Sequence, residues 1–145
     1  MKKIIVFFAA CMIALSAMGQ SKVHVGIDAS TDCFLPANSR RCLSFGLGVR
    51  TRLGEYDQWM NLVGGLRYIY GPRLSGFQIP VLLNVNLLKG EQLTGYLGGG
   101  FEFDFIGTYW GSMKVQAGLA YRNFDFRVFY KAYQGDLGAG LTYYF

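Results

Sequence analysis

Apolar residues alternate with polar or small residues in eight successive runs of this sequence, and this alternation constrains the fold more than any other feature. In the run 43–53, for example, Leu, Phe and Val take most of the odd positions, while Ser, Gly and Arg take the even ones. Successive side chains of a β-strand point to opposite faces, whereas an α-helix would mix the two sets. The pattern therefore predicts eight β-strands, each with an apolar and a polar face.

Short connections join the eight runs, which is typical of an antiparallel up-and-down barrel whose two chain ends lie on one side. The predicted strands are 22–30, 43–53, 60–70, 77–87, 93–105, 113–122, 124–132 and 138–145. The connections predicted on the side of the chain ends are 54–58, 89–92 and 122–123. The connections predicted on the opposite side are 31–41, 71–76, 106–112 and 134–137.

Glycine and charged residues share the polar face, and this composition indicates which face is inside. The chain contains 20 glycines. A glycine weakens an exposed strand, whereas small residues make room for large side chains inside a narrow barrel. We therefore predict an all-β fold, an eight-stranded antiparallel up-and-down transmembrane β-barrel with its polar face inside. A soluble barrel with an apolar core, such as a lipocalin-like lipid carrier, is the alternative.

Aromatic residues make up 17% of the chain and fall near the ends of the predicted strands. Rings with a polar edge suit the two interfaces of a membrane, where they form girdles. The girdle predicted near the chain ends consists of Trp59, Tyr121, Phe124, Tyr143 and Phe145. The opposite girdle consists of Tyr68, Tyr70, Phe77, Tyr109, Trp110 and Tyr130.

Residues 1–19 have the pattern of a secretory signal peptide. Two lysines precede an apolar stretch, 4–15, and Ala17 and Gly19 are the small residues that signal peptidase requires before the cleaved bond. We predict cleavage after Gly19, which leaves 20–145 as a single barrel domain. Acylation at the cysteine of the apolar stretch would leave a much shorter leader and is the less favoured alternative.

Two cysteines of the exported part, Cys33 and Cys42, flank the polar segment 34–41. An exported protein folds in an oxidising compartment, where cysteine pairs form disulfides. We therefore predict a disulfide between Cys33 and Cys42.

The charged residues of the polar face would be enclosed by the barrel. Eight strands leave an interior only wide enough for side chains, and unpaired charges are costly to bury. We therefore predict a network of ion pairs that plugs the lumen, with a polar path for ions as the alternative. The predicted network consists of Asp28, Arg50, Arg52, Arg67, Glu102, Asp104, Lys114, Arg122, Asp125, Arg127 and Lys131.

No group of residues makes a convincing active site. His24 is the single histidine, and nothing in the spacing fixes it against Ser30 or Ser44 as a catalytic dyad. We predict no catalytic, cofactor or metal site, and therefore no enzyme. The formal net charge of +5 falls to about +3 without the two lysines of the leader. A net positive charge this small does not indicate nucleic-acid binding.

Three segments of the second half resemble a known family. The segment 77–83, Phe-Gln-Ile-Pro-Val-Leu-Leu, is similar to the Ile-Pro-Leu-Leu-Leu strand of the porin-like outer-membrane β-barrel domain proteins, and 96–100 is similar to their glycine-rich strand. The end, 141–145, resembles the aromatic signal that the barrel-assembly machinery reads. Because proline cannot donate to the ladder, we expect a β-bulge at Pro80. The residues of the predicted assembly signal are Leu141, Tyr143 and Phe145.

The resemblance implies a monomeric protein of a Gram-negative outer membrane, in contact with its lipid, its lipopolysaccharide and the assembly machinery. The expected role is structural or surface-binding, through a glycan or protein ligand at the outer loops. A narrow channel for small solutes is the alternative. The basic and aromatic loop residues, which could instead meet lipopolysaccharide phosphates, are Arg40, Arg41, Arg73, Tyr109 and Trp110.

Overall fold

The computed structural model describes residues 22–34, 42–71, 75–105, 111–132 and 135–145. The eight strands are β1 (Val23–Phe34), β2 (Cys42–Leu53), β3 (Met60–Tyr70), β4 (Ser75–Lys89), β5 (Leu93–Phe105), β6 (Ser112–Tyr121), β7 (Phe124–Lys131) and β8 (Asp136–Tyr144). Each strand pairs antiparallel with the next, and β8 pairs with β1 to close the barrel. The predicted eight-stranded antiparallel barrel is confirmed. The predicted signal peptide lies outside the described residues.

Two ends of the barrel can be distinguished by their connections. We call the end that carries the connections 54–59, 90–92 and 122–123, together with residues 22 and 145, the turn end. The opposite end is the loop end, and most residues of its connections lie outside the described part of the chain. No helix within the described ranges is long and apolar enough to cross a membrane.

The hydrogen-bond register shows how strongly the strands are staggered. Following cross-strand partners once around the barrel from His24 leads back to β1 at Phe34, ten residues further along the strand. The intervening partners are Arg52, Val63, Leu82, Gly100, Lys114, Lys131 and Asp136. With usual strand spacings, this stagger over eight strands corresponds to a tilt of about 40°. The barrel is therefore narrow, with an interior that side chains can fill.

The expected β-bulge at Pro80 is absent. Pro80 pairs in regular register with Glu102, and the register between β3 and β4 is the same on both sides of the proline. That ladder omits the partners of Pro80 and Ile79, because proline has no N–H to donate. The missing bond interrupts the ladder without inserting a residue. The register instead shifts nearer the turn end, between Asn86 and Leu88.

The two faces of the barrel are inverted relative to a soluble protein. Large apolar side chains point outward, and Phe45, Leu97 and Val128 each expose about half of their surface. The outward aromatics form clusters near the strand ends, with ring centroids 5.0 Å apart for Phe124 and Tyr143 and 5.1 Å apart for Tyr68 and Phe77. The interior is mostly polar and charged, and its large apolar side chains are Val63, Ile69, Leu82 and Phe129 in the described ranges.

The predicted disulfide is not formed, because Cys33 is a free cysteine. β1 extends to Phe34, so that Cys33 pairs with Leu43 and Phe34 pairs with Cys42. The two cysteines are thus offset by one position in the antiparallel ladder of β1 and β2. Residues 31–41 were predicted to form a loop, in which the backbone could have brought the two cysteines together.

Candidate functional site: a charged barrel interior

Among the residues that the structure describes, the barrel encloses twelve charged side chains in balanced numbers. Six are acidic and six are basic, and each exposes 6% of its surface or less. The acidic residues are Asp28, Asp32, Glu102, Asp104, Asp125 and Asp136. The basic residues are Arg50, Arg52, Arg67, Lys114, Arg127 and Lys131. Burial favours a net charge of zero in the interior, because an uncompensated charge in a low-dielectric environment costs several kcal/mol.

Glu102 is the centre of the cluster nearest the loop end. Its carboxylate lies 2.7 Å from Lys114 Nζ, 2.7 Å from Lys131 Nζ and 3.1 Å from Arg67 Nη2. Lys131 also lies 2.6 Å from Asp32 Oδ2, so it bridges two carboxylates. The three cations come from β3, β6 and β7. This cluster therefore links strands that are far apart in the sequence.

An aromatic ring supports the same cluster from inside the barrel. Lys114 Nζ lies 3.8 Å from the centroid of the Phe129 ring, and Arg67 Cζ lies 5.5 Å from it. Phe129 is 2% exposed and points inward, although its two neighbours in the chain, Val128 and Tyr130, are also apolar. Phe129 was not predicted to face the interior. Its place in the alternation, between Arg127 and Lys131, is the signal that identifies it.

The middle of the lumen is filled by a second set of polar contacts. Asp28 accepts hydrogen bonds from Arg127 and from Thr142, the latter at 2.6 Å. Arg50 donates to Gln116, and Gln116 donates in turn to Asn84. Side chains from opposite walls therefore meet across the barrel. A continuous water path would require these contacts to open.

Glycines make the interior wide enough for these large groups. A Cβ at Gly140 would lie 2.6 Å from the Arg127 guanidinium carbon, and one at Gly46 would lie 2.9 Å from Arg67 Cδ. A Cβ at Gly118 would overlap the ring of Tyr96. The glycines of the polar face thus leave space that the long side chains occupy. The abundance of glycine on that face predicted this arrangement.

The connection 54–59 folds under the barrel and closes its turn end. Tyr56 from this connection donates to Asp125 Oδ2 at 3.0 Å, and its ring lies 3.5 Å from Arg52 Cζ. Asn86 donates to the carbonyls of Tyr56 and Gln58 and holds the connection from β4. Burial and the neighbouring Asp125 carboxylate raise the pKa of the Tyr56 phenol well above its usual value. Tyr56 therefore stays protonated and can donate.

The predicted network residues lie inside the barrel with one exception. Arg122 is exposed, in the turn between β6 and β7, with a positive φ of 51°. The alternating pattern of β6 continues by one residue into that turn, so periodicity alone placed Arg122 in the lumen. The prediction for Arg122 is wrong, because the chain reverses at this residue.

Several interior residues were missed by the sequence analysis. Asp32 and Asp136 were placed in loops, yet β1 and β8 extend far enough to bury both. Continuation of the period of two from Asp28 is a signal that could have found Asp32. The neutral members of the network were not assigned a role either. They include Asn61, Gln78, Asn84, Gln116, Tyr96 and Thr142.

The structure does not bring His24 together with a serine. His24 pairs with Arg52 near the turn end, Ser44 pairs with Asp32 near the loop end, and Ser30 accepts a hydrogen bond from Arg67. In the described ranges, no group of three or more His, Cys, Asp or Glu side chains could hold a metal ion. The basic and aromatic loop residues predicted as a binding surface lie outside those ranges.

Comparisons with known proteins support the fold. No family profile matches the chain, and no curated protein matches it. Among solved structures, the chain is similar to a protein described as "De novo design of transmembrane beta-barrels", with a TM-score of 0.54 and 16% sequence identity. The match covers 84% of this chain and 95% of the design. At this identity the likeness shows the barrel fold alone.

Proposed function

We propose that this chain is a small integral outer-membrane β-barrel with a plugged polar lumen, a structural or surface-binding role and no catalytic activity. The observation that carries the proposal is the inversion of the two faces. Charged side chains fill the interior in equal numbers of each sign, while Phe, Leu, Val and Tyr cover the outside. Such an exterior is stable in contact with lipid, and a soluble monomer rarely exposes so large an apolar surface.

The exposed ends of the barrel support the same location. The outward clusters of aromatic rings near both ends match the girdles that place a barrel at the two membrane interfaces. Leu141, Tyr143 and Phe145 lie on the outer face of β8 and its end, and each exposes at least 38% of its surface. These three side chains are therefore accessible to the assembly machinery that the sequence resemblance implies.

Labelling with a membrane-impermeant maleimide tests the location. We expect cysteines introduced at Phe45, Val81 and Phe103 to react slowly in lipid vesicles, because lipid covers the outer face. Arg122→Cys, in the exposed turn, is the matched position that should react readily. All variants need Cys33→Ser and Cys42→Ser to remove background. Fast reaction at the three outward positions, or recovery of the protein without detergent, would contradict an integral membrane protein.

A narrow channel is the second candidate, and the polar interior is the observation that favours it. The contacts that link Arg50, Gln116 and Asn84 across the lumen argue for a plug instead. We therefore expect purified protein to give no steady single-channel currents in a planar bilayer. Reproducible current steps from the folded protein would overturn the plug and establish the channel.

A soluble lipid carrier is disfavoured by the same interior. A carrier of this architecture needs an enclosed apolar cavity for its ligand. Here the space is occupied by ion pairs such as Glu102 with Lys114, which an acyl chain could not replace without leaving charges unpaired. We therefore place the proposed surface-binding role at the loop end and not in the lumen. The partners available there are outer-membrane lipid, lipopolysaccharide, a glycan or a protein.

A further inference from the structure

We propose that the turn end of the barrel holds a binding site for a small oxyanion, either a phosphate or a carboxylate group. A cleft of about 480 Å³ opens there, between the connection 54–59 and the turn after β6. Its basic lining residues are Lys22, His24, Arg52 and Arg122, and its acidic ones are Glu55 and Asp57. The inference is independent of the role proposed above, because it rests on this cleft and not on the outer face or the loop end.

Among the residues that line the cleft, Arg52 is the one that most requires an anionic partner. It is 4% exposed, and its guanidinium carbon lies 3.5 Å from the Tyr56 ring centroid and 4.7 Å from that of Tyr144. Its Nε donates to the carbonyl oxygen of Gly54 at 3.0 Å, while its buried Nη1 has no hydrogen-bond partner. A buried guanidinium without a counter-charge is costly, and an oxyanion bound in the cleft that Arg52 lines would supply that charge.

The acidic residues of the cleft do not neutralise Arg52. Glu55 faces Lys22 and His24, with separations of 3.4 Å from Lys22 Nζ and 3.2 Å from His24 Nε2. Asp57 is exposed, where water and salt screen its charge. Throughout the described ranges, no carboxylate oxygen lies within 4.0 Å of the Arg52 guanidinium.

Arg122 adds a second cation that has no ion pair in the described part of the protein. The turn between β6 and β7 holds it on the rim of the cleft, and its guanidinium carbon lies 5.5 Å from the Tyr121 ring centroid. The cleft thus presents one fixed, buried guanidinium and one exposed guanidinium. Planar guanidinium groups match the oxygen pairs of phosphate and carboxylate better than an ammonium does.

The oxyanion could come from two sources that share this chemistry. A free phosphate or carboxylate could enter from solution, or the phosphate of a phospholipid headgroup could enter from the adjacent membrane interface. Calorimetric titration of the folded protein in an uncharged detergent distinguishes them. The titrants are inorganic phosphate, acetate and a short-chain phosphatidylglycerol, and saturable single-site binding of at least one is expected.

Variants identify the site. Arg122→Gln is expected to weaken binding by about tenfold, since charge-assisted hydrogen bonds contribute on that scale. Arg52→Gln is expected to abolish detectable binding. Lys89→Gln is the matched control, because Lys89 is an exposed cation at the same end whose side chain does not line the cleft. Its Nζ donates to the carbonyl oxygen of Asp57, and glutamine retains an N–H donor for that contact. The affinity of this variant should stay within about twofold of the unmodified protein.

Two results would overturn the site. One is the absence of saturable binding by all three titrants. The other is an equal loss of affinity in Lys89→Gln and Arg122→Gln, which would show only general attraction of anions to a basic rim. Arg52 is packed between two rings, so its replacement can also disturb the connection 54–59. Arg122 is exposed, and its variant tests binding without that complication.

Discussion

Glu102→Gln is expected to lower the free energy of unfolding of the barrel by about 3–5 kcal/mol. The substitution keeps the size of the side chain but removes the charge that faces Lys114, Lys131 and Arg67. Removing the Glu102 charge leaves the cluster with excess positive charge: Lys131 and Arg67 keep Asp32 as a partner, while Lys114 has no other carboxylate within 4.0 Å in the described ranges. Urea unfolding of the protein in detergent, followed by tryptophan fluorescence, measures the effect.

Two further variants separate the buried cluster from general charge effects. Glu91→Gln removes an exposed carboxylate from the connection between β4 and β5, and we expect a change below about 0.5 kcal/mol. Adding Lys114→Met to Glu102→Gln removes one of the stranded cations and should restore about 1 kcal/mol or more. A loss below about 1 kcal/mol in Glu102→Gln alone would indicate a lumen wet enough to screen these charges, which would favour the channel.

Val128→Arg is expected to destabilise the barrel in lipid vesicles by about 2–4 kcal/mol. Val128 lies midway along β7, points outward with 57% of its surface exposed, and has Ala117 and Ala139 as cross-strand partners. If lipid covers this position, the introduced guanidinium must be placed near the centre of the hydrocarbon. Denaturant titration of protein folded in vesicles gives the free energy.

The same substitution nearer the interface provides the control. Tyr121→Arg changes an outward residue at the turn end of β6, where the expected cost falls to about 0–1 kcal/mol. A difference between the two variants reports membrane depth, because both arginines lie on the outer face. Equal and small effects of the two variants, within about 0.5 kcal/mol, would indicate that water covers this face and would contradict the membrane location.

The architecture of the interior explains why such a barrel would be stable with few apolar side chains inside it. Cross-strand ladders close on themselves, so the described strands leave no open edge. The lumen is then filled by ion pairs and hydrogen bonds whose charges balance, with Phe129 supplying a ring for the cations nearest the loop end. The apolar contribution to stability is expected on the outside, where lipid would take the place of a packed core.

The identity of most interior residues follows from the alternation of apolar and polar residues along each strand. Once eight alternating runs are recognised, the face of each residue is determined by its position within the strand, and Asp28, Arg50, Glu102 and Lys114 fall on the polar face. Glycine and charge on that face indicate which way it points. These features are local, because each depends only on residues a few positions apart.

Strand pairing determined the ends of the strands and their register, which the local alternation could not predict. Alternation cannot distinguish the last residue of a strand from a turn, so Arg122 was placed in the lumen although the chain reverses there. The predicted disulfide failed because the β1–β2 register offsets Cys33 from Cys42 by one position. At Pro80 the strand register is unchanged, because the β3–β4 ladder is interrupted there and no residue is inserted as a bulge.

The sequence by itself determined the number of strands, their amphipathic faces and the identity of most buried charges, because a strand's side chains alternate regardless of its neighbours. Only the closed structure decided which charges meet. The ten-residue stagger around the barrel brings Glu102 of β5 to Arg67 of β3 and Lys131 of β7. Closure of the barrel also places Tyr56 of the connection 54–59 against Arg52. Such contacts depend on register and closure, which no single strand encodes.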